Sequence, residues 1–285
     1  RCSRWLAGGA WGWLMSRVGQ WAADSKVNRG VALRKGAWMR EHACHAADTA
    51  RSFYALTPLR FVILKSRTMI PLPLLPRYTF REELANSLTH GVGIVLAIAG
   101  LAVLTAFAAM HGGTAEVVAS AVFGATLILC YTTSTLYHAI PIERIRHVLR
   151  ALDHSAIFLL IAGTYTPFML LSLGGTLGWS MLALVWTLAV AGVVARLWLN
   201  GRRHGLVVGL YVAMGWAVVL AMKPLVAALG SGGVTLLAAG GVSYTLGVVF
   251  YKWRSLPYSH AIWHLFVLAG SALHFFAVLF YVLPR

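Results

Sequence analysis

Hydrophobic positions in this chain come in long blocks rather than in alternation. No lysine, arginine, aspartate or glutamate interrupts residues 84–115, 117–142, 154–195, 204–222, 224–251 or 255–284. A membrane-spanning helix needs about 20 apolar residues. Five of the runs therefore suit one crossing each, and 154–195 suits two, joined by a hairpin at the glycine-rich 172–178. Apolar–polar alternation with a period of two is absent, which argues against barrel strands. Backbone in lipid must satisfy its own hydrogen bonds, which leaves helices. The pattern predicts an all-α fold, a seven-transmembrane helix bundle crossing at 87–110, 117–140, 150–172, 177–197, 205–222, 233–251 and 258–282. Small residues recur along these segments, as at Ala238-Ala239-Gly240-Gly241, and such residues let helices approach closely in lipid.

Composition narrows the class further. Hydrophobic residues make up 59% of the chain and charged residues 11%, against about 25% charged in an ordinary soluble domain. A soluble enzyme and a soluble nucleic-acid binder are both excluded. The net charge of +16 then has to be explained by where it lies. Arg144, Arg146 and Arg150 follow the second crossing, Arg196, Arg202 and Arg203 the fourth, and Lys252 and Arg254 the sixth. Together with the basic N-terminal segment, all 24 lysines and arginines except Lys223 and Arg285 fall on one side. The positive-inside rule puts the N-terminus in the cytoplasm and the C-terminus outside. The charge reports topology, and no nucleic-acid partner is expected.

Residues 1–79 differ from the rest. They are rich in Trp, Arg and Ala, begin with Arg1, and show no sustained period. Residues 5–15 have some character of a signal-peptide core, but Gly8, Gly9 and Gly12 break it. The segment reads as a basic N-terminal extension, expected to be poorly ordered, with Met69 as a candidate start and residues 80–285 as the membrane domain. His42, Cys44 and His45 lie close together without a visible core to hold a metal. Cys2, Cys44 and Cys130 are odd in number with no C-x-x-C pair, so no disulfide framework is implied.

Ionisable groups inside a crossing are expensive and mark function by default. Asp153 is the one carboxylate placed within a predicted crossing, and the histidines there are His90, His138, His154, His260, His264 and His274. The topology, set from lysine and arginine alone, brings His138, Asp153, His260 and His264 to one depth near the cytoplasmic face. His260 and His264 are four residues apart, which puts both rings on one helix face about 6 Å apart along the axis. With His138 from another helix they suit a three-nitrogen zinc site that keeps a position open. Ser134, one turn from His138, suits a hydrogen bond to that histidine or to water, and Asp153 suits accepting a proton.

Blander readings fit some of the same residues. Two histidines at this spacing occur by chance and pair within bundles. Asp153 also suits capping its helix or pairing with Arg150. His274, ten residues beyond His264 and about 15 Å farther along the axis, is out of reach of the same ion. His90, with Asn86 one turn before it, suits a supporting place behind the ligands but reads more readily as a helix-start or interface residue, and His154 points about 100° away from Asp153 on an ideal helix.

Several blocks resemble the bacterial haemolysin III family: Glu82-Glu83-Leu84-Ala85-Asn86 leading to Thr89-His90-Gly91, Ser134-Thr135-Leu136-Tyr137-His138, Leu152-Asp153-His154-Ser155, Ile161-Ala162-Gly163-Thr164-Tyr165-Thr166-Pro167 and His260-Ala261-Ile262-Trp263-His264. That family groups with the progestin and adipoQ receptors and, more remotely, with alkaline ceramidases. The match covers about residues 80–283. It implies seven membrane helices with a cytoplasmic N-terminus, and Zn2+ held by His138, His260 and His264, with Asp153 and Ser134 on the water side. Three functions are then expected in competition: zinc-dependent hydrolysis of a lipid amide or ester with Asp153 and Ser134 as catalytic residues, pore-forming cytolysis, and a zinc-stabilised receptor or sensor of a lipophilic ligand. The bacterial inner membrane is the expected location. Membrane lipid is the environment and the candidate substrate, and no protein partner is expected.

Overall fold

A computed structural model describes residues 75–76, 78–199 and 204–283. Nearly all of the N-terminal extension, with Met69 and the His42, Cys44 and His45 group, lies outside the described residues. Those that are described form helices and connections, with no strand among them. Six stretches are long and apolar enough to cross a membrane: Phe80–His111, Thr114–Ala139, Glu143–Leu173, Gly175–Trp198, Gly205–Lys252 and Ser259–Val282.

Local chemistry sets where the helices start and turn. Helix α1 (Phe80–His111) begins in a reciprocal cap. The Thr79 backbone N–H donates to Glu82 Oε2 at 2.8 Å, and the Glu82 N–H donates to Thr79 Oγ1 at 3.3 Å, an arrangement that stabilises a helix start by about 1 kcal/mol. The Gly112–Gly113 turn leads into α2 (Thr114–Ala139), where Glu116 accepts the Gly113 N–H at 2.8 Å. Helix α3 (Glu143–Pro167) runs on through wider π-type turns over Phe168–Leu173. The chain then reverses at Gly174 and Gly175, whose φ angles are 57° and 50°, into α4 (Gly175–Leu199). This is the hairpin expected within 172–178.

Between α4 and the last helix the pattern is less regular. Helix α5 (His204–Trp216) tightens into a 3-10 stretch, Ala217–Ala221, and leads into α6 (Met222–Lys252). Within α6, Gly230 has φ 65° and ψ −179°, a region open almost only to glycine, and the helix is broken there. A connection through Trp253 and the left-handed Tyr258 reaches α7 (Ser259–Ala277), which ends in π-type turns over Val278–Val282.

Helix α1 packs on α2, α2 on α3, α3 on α4 and α6 on α7, while α7 also packs on α1. Burial is inverted relative to a soluble protein. Val95, Met110 and Leu220 are exposed, whereas Asn86, His90, Ser134, His138, Asp153 and His264 are buried. Apolar flanks of this extent on a folded chain face lipid. The polar groups they enclose all need a reason to be there.

Candidate metal centre

The closure of α7 on α1, and of α1 on α2, positions the site. His138 lies in the last turn of α2, and His260 and His264 occupy the first two turns of α7. One nitrogen from each of the three lies within 4.8 Å of the other two. Ring centroids are 4.6 Å apart for His260 and His264, 5.0 Å for His138 and His260, and 5.3 Å for His138 and His264. The three residues that the sequence singles out as metal ligands are brought together from two distant stretches of chain.

Their hydrogen bonds determine which nitrogens are free. Nδ1 of His138 lies 2.6 Å from Glu83 Oε2, and Glu83 also pairs with Arg146 through its other oxygen. Nδ1 of His264 lies 3.1 Å from the Asn86 carbonyl oxygen and 3.1 Å from Thr89 Oγ1. The Thr89 hydroxyl sits against the Ala85 and Asn86 carbonyls. A ring whose Nδ1–H donates to a carboxylate or carbonyl has its lone pair on Nε2. His138 Nε2 is buried with no hydrogen-bond partner among the described residues. An orphaned imidazole lone pair beside two further imidazoles fits a divalent cation that prefers nitrogen.

Asp153, Ser134, His90, His260 and His264 line one cavity between the helices. The Ser134 hydroxyl is buried there without a partner among the described residues. Asp153 is buried, with Oδ2 at 3.4 Å from His154 Nδ1. His154 itself places Nδ1 2.8 Å from the Arg150 carbonyl, and its Nε2 lies 3.4 Å from the Tyr251 hydroxyl. His274 lines the far part of the same cavity, with Nε2 at 3.1 Å from the Leu237 carbonyl, and is not part of the three-histidine group.

Glu83 and Tyr78 are not among the site candidates that the sequence offers, and His90, with Asn86, is offered only as a supporting residue. Glu83 and Asn86 orient the histidines. His90 stacks on His264 with centroids 3.6 Å apart and planes 13° from parallel, and neither of its ring nitrogens has a hydrogen-bond partner among the described residues. It is an interior residue rather than an interface one. Tyr78 places its ring 5.3 Å from that of His260 and 6.0 Å from that of His138; burial holds its phenol above the ordinary range. The signal for the α1 residues was present. Glu83, Asn86 and His90 recur at helical spacing at the start of a helix that is apolar from Gly91 to Leu104.

Fold and site together define a multi-pass protein of the cell membrane that buries a histidine cluster among its helices. The chain belongs to the haemolysin-III related family, whose model matches residues 78–275. It is 48% identical over 204 residues to Hemolysin-3 of Bacillus cereus, covering 72% of this chain and 93% of that protein. It is 47% identical to the Hemolysin-3 homolog of Bacillus subtilis (strain 168), covering 72% of this chain and 96% of that protein. Monocyte to macrophage differentiation factor of Homo sapiens is 30% identical over 206 residues, covering 70% of this chain and 84% of that protein.

Proposed function

We propose that this protein is an intramembrane zinc hydrolase acting on a lipid amide or ester, with its centre near the cytoplasmic face. The observation that carries the reading is the pair His138 and Glu83. One nitrogen is fixed by a carboxylate, the other is buried without a partner, and two more imidazoles stand beside it. Carboxylate–histidine pairs of this kind orient metal ligands.

His138, His260 and His264 would hold the ion. When bound, Zn2+ supplies Lewis acidity toward water and toward an acyl carbonyl. The chain's own groups do the rest. Asp153 takes a proton from water in the cavity and returns it to the departing amine or alcohol, as a carboxylate acting first as base and then as acid. Ser134 donates a hydrogen bond that orients the water. Water oxygen bonds to the acyl carbon, the C–N or C–O bond breaks, and a fatty acid and an amine or alcohol leave. Apolar lining, including Ile157, Leu160 and Val267, receives the acyl chain.

The same reading takes the chain as seven crossings with a cytoplasmic N-terminus. It is supported by the alternation of basic residues and by the breaks at Ala217–Ala221 and Gly230 within the Gly205–Lys252 stretch.

Metal content of the detergent-purified chain, followed by lipid turnover, tests the proposal. About one zinc per chain is expected in the wild type and loss of it in His138→Ala, with a lipid amide or ester hydrolysed by the wild type and not by His264→Ala. A metal-free wild type overturns the centre. Zinc with no turnover of any lipid, and a lowered melting temperature on chelation, leaves the zinc-stabilised receptor. Liposome leakage that survives His138→Ala and chelation leaves the pore.

A further inference from the structure

A second cavity, with several charged residues in its lining, opens beside the histidines. It is lined by Arg150 from α3, by Lys252 and Arg254 at and beyond the end of α6, and by Tyr137, Tyr251 and Glu82. Arg150, Lys252 and Arg254 make no ion pair among the described residues. The one carboxylate among its described lining residues is already committed. Glu82 Oε2 accepts from the Thr79 N–H at 2.8 Å and the Thr79 hydroxyl at 2.9 Å, and Oε1 accepts from the Tyr258 N–H at 3.2 Å. Tyr137 is 2% exposed, and its hydroxyl is buried without a partner among the described residues. Nε of Arg150 is likewise buried and unpartnered among the described residues. The site therefore gathers three cations and a spare hydroxyl donor around one used carboxylate, a donor set that lacks an anion with several acceptor oxygens.

The two cavities adjoin. His154, Val208, Tyr251 and His260 line both. From His260 at this boundary the inner cavity follows α7 to His274. Those fourteen residues span about 21 Å of helix axis, roughly two thirds of a bilayer's hydrocarbon thickness. We propose that the outer cavity holds a phosphate group, and that the ligand of the whole site is an amphiphile carrying that phosphate in its headgroup, with one acyl chain in the inner cavity. The bond joining head to tail then lies at the histidines. The inference rests on the hydrolase reading only in calling this ligand the substrate.

The full-length chain in detergent, measured by native mass spectrometry, separates the two claims. Three probes are offered to it: a phosphatidic acid, the diacylglycerol with the same acyl chains, and inorganic phosphate alone. Phosphatidic acid is expected to bind about ten- to hundredfold more tightly than diacylglycerol. The Arg150→Gln, Lys252→Gln, Arg254→Gln triple variant removes most of that difference. Arg144→Gln, on an exposed residue outside the cavity, leaves it intact. Because Lys252 and Arg254 are exposed, the Lys252→Gln, Arg254→Gln double variant keeps the test usable if Arg150 matters for folding. Inorganic phosphate that competes fully with phosphatidic acid identifies the free ion as ligand; competition only by the lipid identifies the headgroup. Equal binding of the two lipids, or a preference that the triple variant keeps or that Arg144→Gln abolishes, overturns the proposal. Hydrolysis of an uncharged lipid with no phosphate preference sinks this inference and leaves the hydrolase standing. Phosphate-selective binding with no turnover does the reverse.

Discussion

Glu83 Oε2 stands 2.6 Å from Nδ1 of His138, while the other oxygen of the same carboxylate takes Arg146. Helix α1 thereby fixes the ring orientation of a residue on α2, and Arg146 on α3 holds the carboxylate in turn. Replacing the carboxylate by an amide weakens that hold and leaves the guanidinium without its counter-charge. Glu83→Gln is expected to lower zinc affinity by about ten- to a hundredfold, read by competition with a chromophoric chelator. Helical content by circular dichroism should not change. Unchanged retention at every chelator concentration refutes this role for Glu83.

His90 lies flat on His264, and both of its nitrogens are buried without partners. An unsatisfied buried polar group lowers stability by about 1–3 kcal/mol, so an apolar group of the same shape is neutral or better. His90→Phe keeps the stacked ring and removes both nitrogens. The melting temperature of the purified variant is expected to stay level or rise, with zinc content unchanged. A fall of more than about 4 °C, equivalent to roughly 1 kcal/mol or more in a chain of this size, shows that those nitrogens contribute favourably.

These two residues mark where the sequence was and was not legible. His138, His260 and His264 stood out because an imidazole inside an apolar run is costly, and because the basic residues independently set their depth. Glu83 does not stand out in the same way, because it precedes the first uncharged run. The start of α1 at Phe80, several residues before the expected crossing at 87, brings that carboxylate into the bundle. Contact between α1 and α7 is a tertiary fact, and no spacing within α1 encodes that His90 meets His264. Tyr78 falls by composition in the N-terminal segment, yet its ring reaches two of the histidines. Asp153 and Ser134 were legible as candidates; their shared cavity with the histidines comes from packing.

Helix α6 approaches α7 closely at Gly247. A Cβ there would lie 2.7 Å from Trp263 Cε3 and 2.8 Å from Phe266 Cβ. Trp263 precedes His264 directly, so any retreat of α7 moves His260 and His264 as well. Gly247→Ala is expected to destabilise the bundle by about 1–3 kcal/mol, seen as a lower melting temperature in detergent, and to weaken zinc retention with it. A wild-type melting temperature means the helices can part at no cost.

Gly230 sits in a backbone region that carries a penalty of about 1–3 kcal/mol for other residues, and no atom lies within 4 Å of its missing Cβ. Gly230→Ala therefore isolates the backbone contribution. A drop in melting temperature is expected, whereas Gly209→Ala, also with open space but inside α5, should raise stability by about 0.5–1 kcal/mol through helix propensity. Equal effects at the two positions would mean that the break at Gly230 is not held in the folded protein.

The crossing count turns on the same region. The Gly205–Lys252 stretch has 48 residues, about 72 Å as continuous helix against a hydrocarbon core of about 30 Å. One crossing leaves most of that length without lipid to face. Two crossings use it, with Lys223 and Gly230 at the far side and Arg254 back among the basic residues. Single cysteines at Ser231 and Ser255, in a chain with Cys2, Cys44 and Cys130 replaced, distinguish the cases. A membrane-impermeant thiol reagent is expected to label Ser231→Cys from outside intact cells and Ser255→Cys only after permeabilisation. Protection of Ser231→Cys from both sides would put that position within the bilayer and reduce the count to six.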